Sequence, residues 1–311
     1  MLVVAGSNPV APTIDSVGRP DGYHDVRIGG VCVVTEGIFY VCATPIGNLG
    51  DVSERLVATL KSVHHILCED TRVTRTLLQR YDITTPTVSC NQFQETQKVD
   101  WILNELIHGH SLALVSDAGT PGICDPGYRV VSVVRAAGYP IQVIPGPSAL
   151  ASMLSISGLS SDRFVFCGFV PKRASDWESD CKMAQANGLA VVFFETPHRI
   201  RATLEWLNGF DSTAVITIGK ELTKIFEKVF SGNSEQLLSI AELESPRGEW
   251  CGVVQFSPVE VAAIAPIVLA LKKIGLSNRH VVDVSIKILH INKNKVYREC
   301  LRLDQQGIPS D

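Results

Sequence analysis

Nowhere in the 311 residues does an apolar run reach the length of a membrane span. The longest, Val261 to Leu271, has eleven residues and contains Pro266, too few to cross a bilayer as a helix. The start, Met1-Leu-Val-Val-Ala, lacks the basic residues and long apolar core of a secretory signal. The nine cysteines are odd in number and never spaced Cys-x-x-Cys. Most, such as Cys32, Cys42, Cys68 and Cys167, sit in apolar runs, which points to reduced buried thiols rather than disulfides or a zinc site. These absences together lead us to expect a cytoplasmic protein. No Gly-x-Gly-x-x-Gly follows a strand, so a Rossmann dinucleotide site is disfavoured. Gly219-Lys220 is followed by neither Ser nor Thr, which excludes a Walker A loop, and the absence of Gly-x-Ser-x-Gly disfavours an α/β-hydrolase. His64-His65 stands inside an apolar strand and reads as packing rather than metal ligation; no metal is expected.

What remains is an ordinary globular balance, 45% hydrophobic and 19% charged, in a chain long enough for two domains and an appendage. Residues 1–36, punctuated by Gly and Pro, read as an unstructured, disordered extension or an over-long start, with a short strand possible over Val31 to Thr35. From Gly37 the pattern alternates. Strands are expected at Ile38 to Cys42, Val63 to Cys68, Thr87 to Ser89, Ser111 to Ser116 and Ile141 to Ile144. Helices fall between them, one carrying Val99, Ile102, Leu103 and Leu106 on a single face. Strand–loop–helix at this spacing means βαβ units and a mostly parallel sheet over 37–160. A second α/β domain, 161–258, has expected strands at Phe164 to Val170, Leu189 to Phe194, Thr213 to Ile218, Phe226 to Phe230 and Trp250 to Phe256. Its hairpin-like spacing near Glu221 to Ser231 implies a mixed sheet. Helices are expected around Ile200 to Leu207 and Ser234 to Leu243.

Three loops concentrate glycine and proline directly after apolar strands: Val41-Cys-Ala-Thr-Pro-Ile-Gly-Asn-Leu-Gly50, Leu114-Val-Ser-Asp-Ala-Gly-Thr-Pro-Gly122 and Ile144-Pro-Gly-Pro-Ser-Ala149. Glycine permits close approach of backbone to a ligand, and proline holds a loop without ordering cost on binding. At the carboxyl ends of parallel strands such loops line a ligand crevice. They imply a cofactor pocket built largely from main chain.

The last segment, 263–311, reads as three helices: Pro266 to Ile274, Ser277 to Leu289 and Asn294 to Leu303. Between Ala265 and Leu303 its charge is +6, whereas the whole chain is −4, leaving −10 elsewhere. A basic helical appendage on an acidic body is the footprint of a nucleic-acid contact, since Lys and Arg neutralise phosphates and release counterions. A solvated helical face accounts for the composition equally well.

Ala43-Thr-Pro-Ile-Gly-Asn-Leu-Gly-Asp51, Glu69-Asp-Thr-Arg72, Ser116-Asp-Ala-Gly-Thr-Pro121 and Pro145-Gly-Pro-Ser-Ala149 occur in that order, followed by Gly168-Phe-Val-Pro-Lys172, Phe194-Glu-Thr-Pro-His-Arg199, Glu221-Leu-Thr-Lys224 and Arg247-Gly-Glu249. This set resembles the small-subunit ribosomal RNA methyltransferase I family, within the tetrapyrrole-methylase-like enzymes that use S-adenosylmethionine. The likeness runs from about Gly37 into the helical tail, where Asn292-Lys-Asn-Lys-Val-Tyr297 matches. It implies two α/β domains with the cofactor in the cleft between them, a homodimer, and methylation of the ribose 2′-oxygen of a cytidine in the decoding region of 16S rRNA. Docking onto a partly assembled ribosomal subunit suits an acidic body with a local basic patch. By the same resemblance the cofactor touches Pro45, the loop Asp117, Ala118, Gly119, Thr120 and Pro121, the loop Gly146, Pro147, Ser148 and Ala149, and the strand end at Phe194.

Moving a methyl from a sulfonium releases a neutral thioether, so orientation supplies most of the rate, up to roughly 7–11 kcal/mol. A positioned base adds typically ~10²–10⁴-fold. Acids and bases expected at strand ends are Glu69, Asp70, Asp117, Glu195, His198 and Lys224, with Glu69 and Asp70 equally readable as caps of the following helix. Arg72, Lys172, Arg173 and Arg199, with Lys293 and Lys295 in the tail, are candidate RNA contacts, because cations grip phosphate oxygens. The family's usual His-Asn-Glu is here Cys90-Asn91-Gln92, which removes an imidazole and a carboxylate. Two other functions compete: a methylase of a small tetrapyrrole, which leaves the basic tail unexplained, and a non-catalytic RNA-binding assembly factor, against which the intact loops count.

Overall fold

The structure, a computed structural model, describes residues 25–28, 31–34, 37–92, 94–160, 162–258, 261–288 and 291–305. The irregular extension expected over residues 1–36 therefore lies largely outside the described residues. Of what is described there, Asp25–Ile28 (β1) pairs antiparallel with Val31–Val34 (β2). Chain contacts divide the molecule into two units, Met1–Ala149 and Leu150–Asp311. Among the described residues no helix is long and apolar enough to cross a membrane.

In the first unit, strands Phe39–Cys42 (β3), His65–Cys68 (β4), Thr87–Ser89 (β5), Leu112–Val115 (β6) and Ile141–Ile144 (β7) form one sheet in the order β5-β4-β6-β3-β7. Every pairing is parallel. Helices Glu54–Ser62 (α1), Thr71–Arg80 (α2), Glu95–Ile107 (α3) and Tyr128–Ala136 (α4) make the crossovers. Strand alternation explains the two cores. Cys42, Ile66, Cys68, Ala113 and Val115 turn to one face against Leu56 and Leu60 of α1 and Leu77 and Leu78 of α2. Phe39, Leu67, Leu112 and Leu114 turn to the other, against Ile102 and Leu106 of α3 and Val130 and Val134 of α4. A parallel sheet covered on both faces reads as unbroken apolar runs, which is why these strands were visible in the sequence.

Helix Ala149–Ile156 (α5) leads into the second unit. There Phe164–Phe169 (β8), Ala190–Glu195 (β9), Val215–Lys220 (β10), Lys228–Gly232 (β11) and Trp250–Gln255 (β12) build a sheet in the order β11-β10-β12-β9-β8. Only β8 and β9 run parallel; β9, β12, β10 and β11 pair antiparallel, giving the expected mixed sheet. Helices Ala174–Asn187 (α6) and Ile200–Phe210 (α7) pack Trp177, Cys181, Leu204 and Leu207 against Phe193, Ile216 and Trp250. The helix expected over Ser234 to Leu243 is broken: Ser234–Leu238 (α8) ends where Ser239 Oγ donates back to the Gln236 carbonyl at 2.7 Å, and a separate turn of 3₁₀ helix spans Ala241–Glu244.

Helices Val261–Lys273 (α9), Asn278–Lys287 (α10) and Lys293–Gln305 (α11) complete the chain. They enclose a core of their own, with Ile264, Val268, Val281, Val296, Cys300 and Leu303 buried together. The first begins five residues before Pro266, the start expected from the sequence. Proline deprives the helix of one backbone bond, and burial of Ile264 and Val268 on either side of it holds the turn in place.

Candidate active site

The strand ends of the first unit converge on a bonded set of loops. Thr44, just past β3, donates its N–H to Gly119 O (2.8 Å) and accepts the Gly119 N–H in return (3.1 Å). Its hydroxyl donates to Ser116 O at 3.0 Å, and Ser116 Oγ donates to Gly119 O at 3.0 Å. Gly119 has φ +84°, a conformation that L side chains rarely adopt, and a Cβ there would lie 3.3 Å from Ile46 Cγ2. On the other side of β3, Ala43 N–H donates to Ile144 O at 3.0 Å, and a Cβ on Gly146 would approach Ala43 Cβ and O at 3.2 Å. Pro45, the Asp117–Pro121 loop and the start of the Gly146–Ala149 loop are thus brought together around β3. Among the described residues, neither the Ala118 nor the Thr120 N–H finds a backbone carbonyl.

Beside these loops, at the ends of β4, β5 and β6, an open pocket of about 440 Å³ is lined by Glu69, Asp70, Thr71, Arg72, Ser89, Asn91, Gln92 and Asp117. The carboxylates in it differ. Asp70 caps α2, accepting the Arg72 N–H at 2.8 Å, and its oxygens take the Arg72 guanidinium at 2.6–3.2 Å. The guanidinium pulls its pKa down to about 2. Asp117 Oδ1 accepts the Asp70 N–H at 3.1 Å. Burial nonetheless raises the Asp117 pKa from its ordinary value. Burial likewise raises Glu69, and the Asp117 and Asp70 charges add to the effect. The pocket therefore holds one carboxylate neutralised by arginine and two whose pKa burial raises.

Ser89, Asn91 and Gln92 were not singled out as lining residues. They reach the pocket because β5 pairs with β4, a register that no local signal reveals. A further residue that sequence reasoning missed is Glu95, buried at the start of α3. Its Oε1 accepts the Gly127 N–H at 2.5 Å, tying the loop after Pro121 to the start of the helix that follows Asn91 and Gln92.

The remaining candidates lie in the second unit. Glu195, at the end of β9, is buried; it accepts from Thr196 N–H and Thr203 Oγ1, each at 2.8 Å, and stands 3.4 Å from Arg199. Arg199 also donates to the Val170 carbonyl at 2.9 Å. Phe194 makes edge contacts with Phe166 and Phe169 at 5.1 and 5.8 Å. Lys224 bridges Glu221 and Glu249, each at 2.9 Å. Burial works against its charge, but the two carboxylates outweigh that and raise its pKa. His198, Lys172 and Arg173 are exposed, with Arg173 at the start of α6 and 4.0 Å from Asp176. Lys293 and Lys295 open α11.

Residues 39–238 match the family model of the tetrapyrrole (corrin/porphyrin) methylases. The chain belongs to the tetrapyrrole methylase family. A relative from Xylella fastidiosa named ribosomal RNA small subunit methyltransferase I is 42% identical over 232 residues, 74% of this chain and 85% of the relative. One of the same name from Escherichia coli O157:H7 is 34% identical over 279 residues, covering 88% and 97%. Among solved structures the fold is that of diphthine synthase, with a TM-score of 0.57 at 15% identity over 72% of this chain and 91% of that one.

Membership makes the chain a methyltransferase whose methyl donor is S-adenosylmethionine. The residues present fit that donor. Its ammonium and hydroxyls call for a carboxylate and main-chain groups, and the Asp117–Pro121 loop offers an Asp117 carboxylate beside N–H groups unused by the fold.

Proposed function

We propose that this chain transfers the methyl of S-adenosylmethionine to the ribose 2′-oxygen of a cytidine in the decoding region of small-subunit rRNA. It acts in the cytoplasm as a homodimer on a partly assembled subunit. The observation that carries the reading is the juxtaposition, in one unit, of the bonded glycine loops with a pocket holding Glu69 and Asp117. Pro45, the Asp117–Pro121 loop and the Gly146–Ala149 loop hold the donor. When bound, the donor supplies an electrophilic methyl and leaves as a neutral thioether, so no oxyanion hole is required.

The chain's own residues supply position and a proton acceptor. Glu69 takes the proton of the attacking hydroxyl: its raised pKa makes its carboxylate a stronger base than an ordinary one. Asp117 orients through its bond to the Asp70 N–H. Asp70, held ionised by Arg72, is too weak a base for the task and instead fixes Arg72 at the pocket edge. Lys224 is a stable ammonium and keeps its protons. Glu195 with Arg199 clamps the end of β9 to the Val170 backbone. Arg72, Lys172 and Arg173 contact phosphate. Asn91 and Gln92 offer amide groups where the family has the last two residues of its His-Asn-Glu, Ser89 adds a hydroxyl, and a neutral amide suits the uncharged face of a nucleoside.

Titration of purified protein with S-adenosylmethionine, followed by methylation of a small-subunit rRNA transcript and of small subunits, tests this reading. Heat of binding and ribose methylation that is stronger on subunits are expected. No binding would end the enzymatic reading, and equal methylation of naked rRNA would remove the assembly clause.

A further inference from the structure

The three carboxy-terminal helices lie outside the residues matched by the methylase family, which end at 238, and they have a separate core. Their acids are largely consumed inside. Glu299 is buried and accepts the Arg302 guanidinium at 2.5–3.0 Å. Asp304 pairs with the buried Lys272 and accepts from Asn278 at 2.7 Å. Lys273, Arg279, Lys287, Lys293 and Arg298 are all exposed, and Asp283 is the one exposed acid among the described residues of the appendage. With those two pairs closed, Lys273, Arg279, Lys287, Lys293, Lys295 and Arg298 face only Asp283, so the segment keeps +5 outside them.

Helix α11 sorts its residues by face. Val296, Glu299, Cys300 and Leu303 are buried. At 100° per residue the opposite half carries Asn294, Tyr297, Arg298 and Leu301, with Lys293 at the edge beside Tyr297; all five are exposed, Tyr297 being 51% accessible. Lys293, Tyr297 and Leu301 follow one another at i, i+4 and i+8, flanked by Asn294 and Arg298. A lone solvated helix face has no need of an aromatic ring set between two unneutralised cations. Cations track phosphates, a tyrosine ring stacks on an unpaired base, and an asparagine reads a base edge.

We infer that the outer face of α11, centred on Lys293, Tyr297 and Arg298, is a docking surface for single-stranded RNA, taking the phosphodiester backbone on its cations and an unstacked base on Tyr297. This rests on the rRNA reading above and adds a second point of attachment outside the methylase domains. It accounts for how a chain whose remainder carries −10 holds a polyanion.

The test uses the full chain and an unpaired small-subunit rRNA transcript, with binding followed over a range of salt and S-adenosylmethionine affinity measured in parallel. Lys293→Gln with Arg298→Gln is expected to lower the slope of log K against log salt by about 1.4. Tyr297→Ala is expected to weaken RNA binding about ten-fold, whereas Tyr297→Phe, which keeps the ring, stays near wild type. Lys293→Arg with Arg298→Lys keeps the slope, and S-adenosylmethionine affinity is unchanged throughout. A glutamine pair with wild-type slope and affinity overturns the surface while leaving the methylation reading intact. A wild-type chain that binds S-adenosylmethionine and methylates subunits but does not bind the free transcript overturns the surface and leaves the methylation reading standing.

Discussion

Gly119→Ala is the most informative single change, because three hydrogen bonds converge on that residue. Its N–H and C=O exchange bonds with Thr44, and its carbonyl also receives the hydroxyl of Ser116. An alanine at φ +84° costs about 1–2 kcal/mol in the left-handed region. The new methyl, 3.3 Å from the Cγ2 of the buried Ile46, needs that side chain to give by a few tenths of an ångström. If the loop keeps its shape, urea unfolding should show a loss of ~1–2 kcal/mol, a five- to thirty-fold shift toward the unfolded state. If it relaxes to relieve the strain, the bridge to Thr44 opens and the donor site with it. Gly188→Ala is the control. Gly188 follows α6 at φ +66° with nothing within 4 Å of its would-be Cβ, so the backbone cost is similar and no pocket is touched. Calorimetric titration with S-adenosylmethionine should therefore show affinity falling about ten-fold or more (1.4 kcal/mol) in the first variant and unchanged in the second. Equal affinities in the two would refute the claim that this bridge shapes the donor site.

Glu69→Gln should reduce methyl transfer about 10²–10⁴-fold while leaving S-adenosylmethionine binding within two-fold; wild-type turnover would remove Glu69 as the base. Because the folded-state pKa of Glu69 is raised, the native state binds the extra proton between the unfolded and folded values. Stability contributed by this group is thus lost as pH rises through the folded value, while activity, which needs the carboxylate, increases over the same window. Rate–pH profiles should show that rising limb in wild type and lose it in the variant. Glu95→Ala leaves the Gly127 N–H buried and unpaired, costing about 1–3 kcal/mol, and Glu95→Gln, which keeps an oxygen acceptor, should cost clearly less by denaturant titration. Arg199→Met strips Glu195 of its cation but leaves the Thr196 and Thr203 donors; a loss of about 1–3 kcal/mol is expected, and unchanged stability would return Arg199 to the pool of free RNA contacts.

The parallel sheet was legible because covering it on both faces demands uninterrupted apolar strands, as in Leu112–Val115. Helix α6 was not. Apart from Trp177 its buried residues, Cys181, Ala184 and Ala186, are small and set among charged and polar ones, so the helical period is weak. The glycine loops around β3 announced themselves through composition, since few residues other than glycine accept the backbone at position 119. What composition cannot carry is long-range register. Ser89 and Asn91 reach the Glu69 pocket through the β4–β5 pairing, and Glu95 meets Gly127 across 32 positions. The i,i+4 spacing of Glu195 and Arg199 was present in the sequence, but spacing alone did not tell that the glutamate would be buried.

The account stands or falls on where the methyl group goes. Ribose methylation should be mapped across small-subunit rRNA from cells with the gene, without it, and with the Glu69→Gln variant in its place. One cytidine 2′-O-methyl group in the decoding region, present only with the wild-type chain, is expected. An unchanged map in all three would contradict the assignment of rRNA ribose as the acceptor.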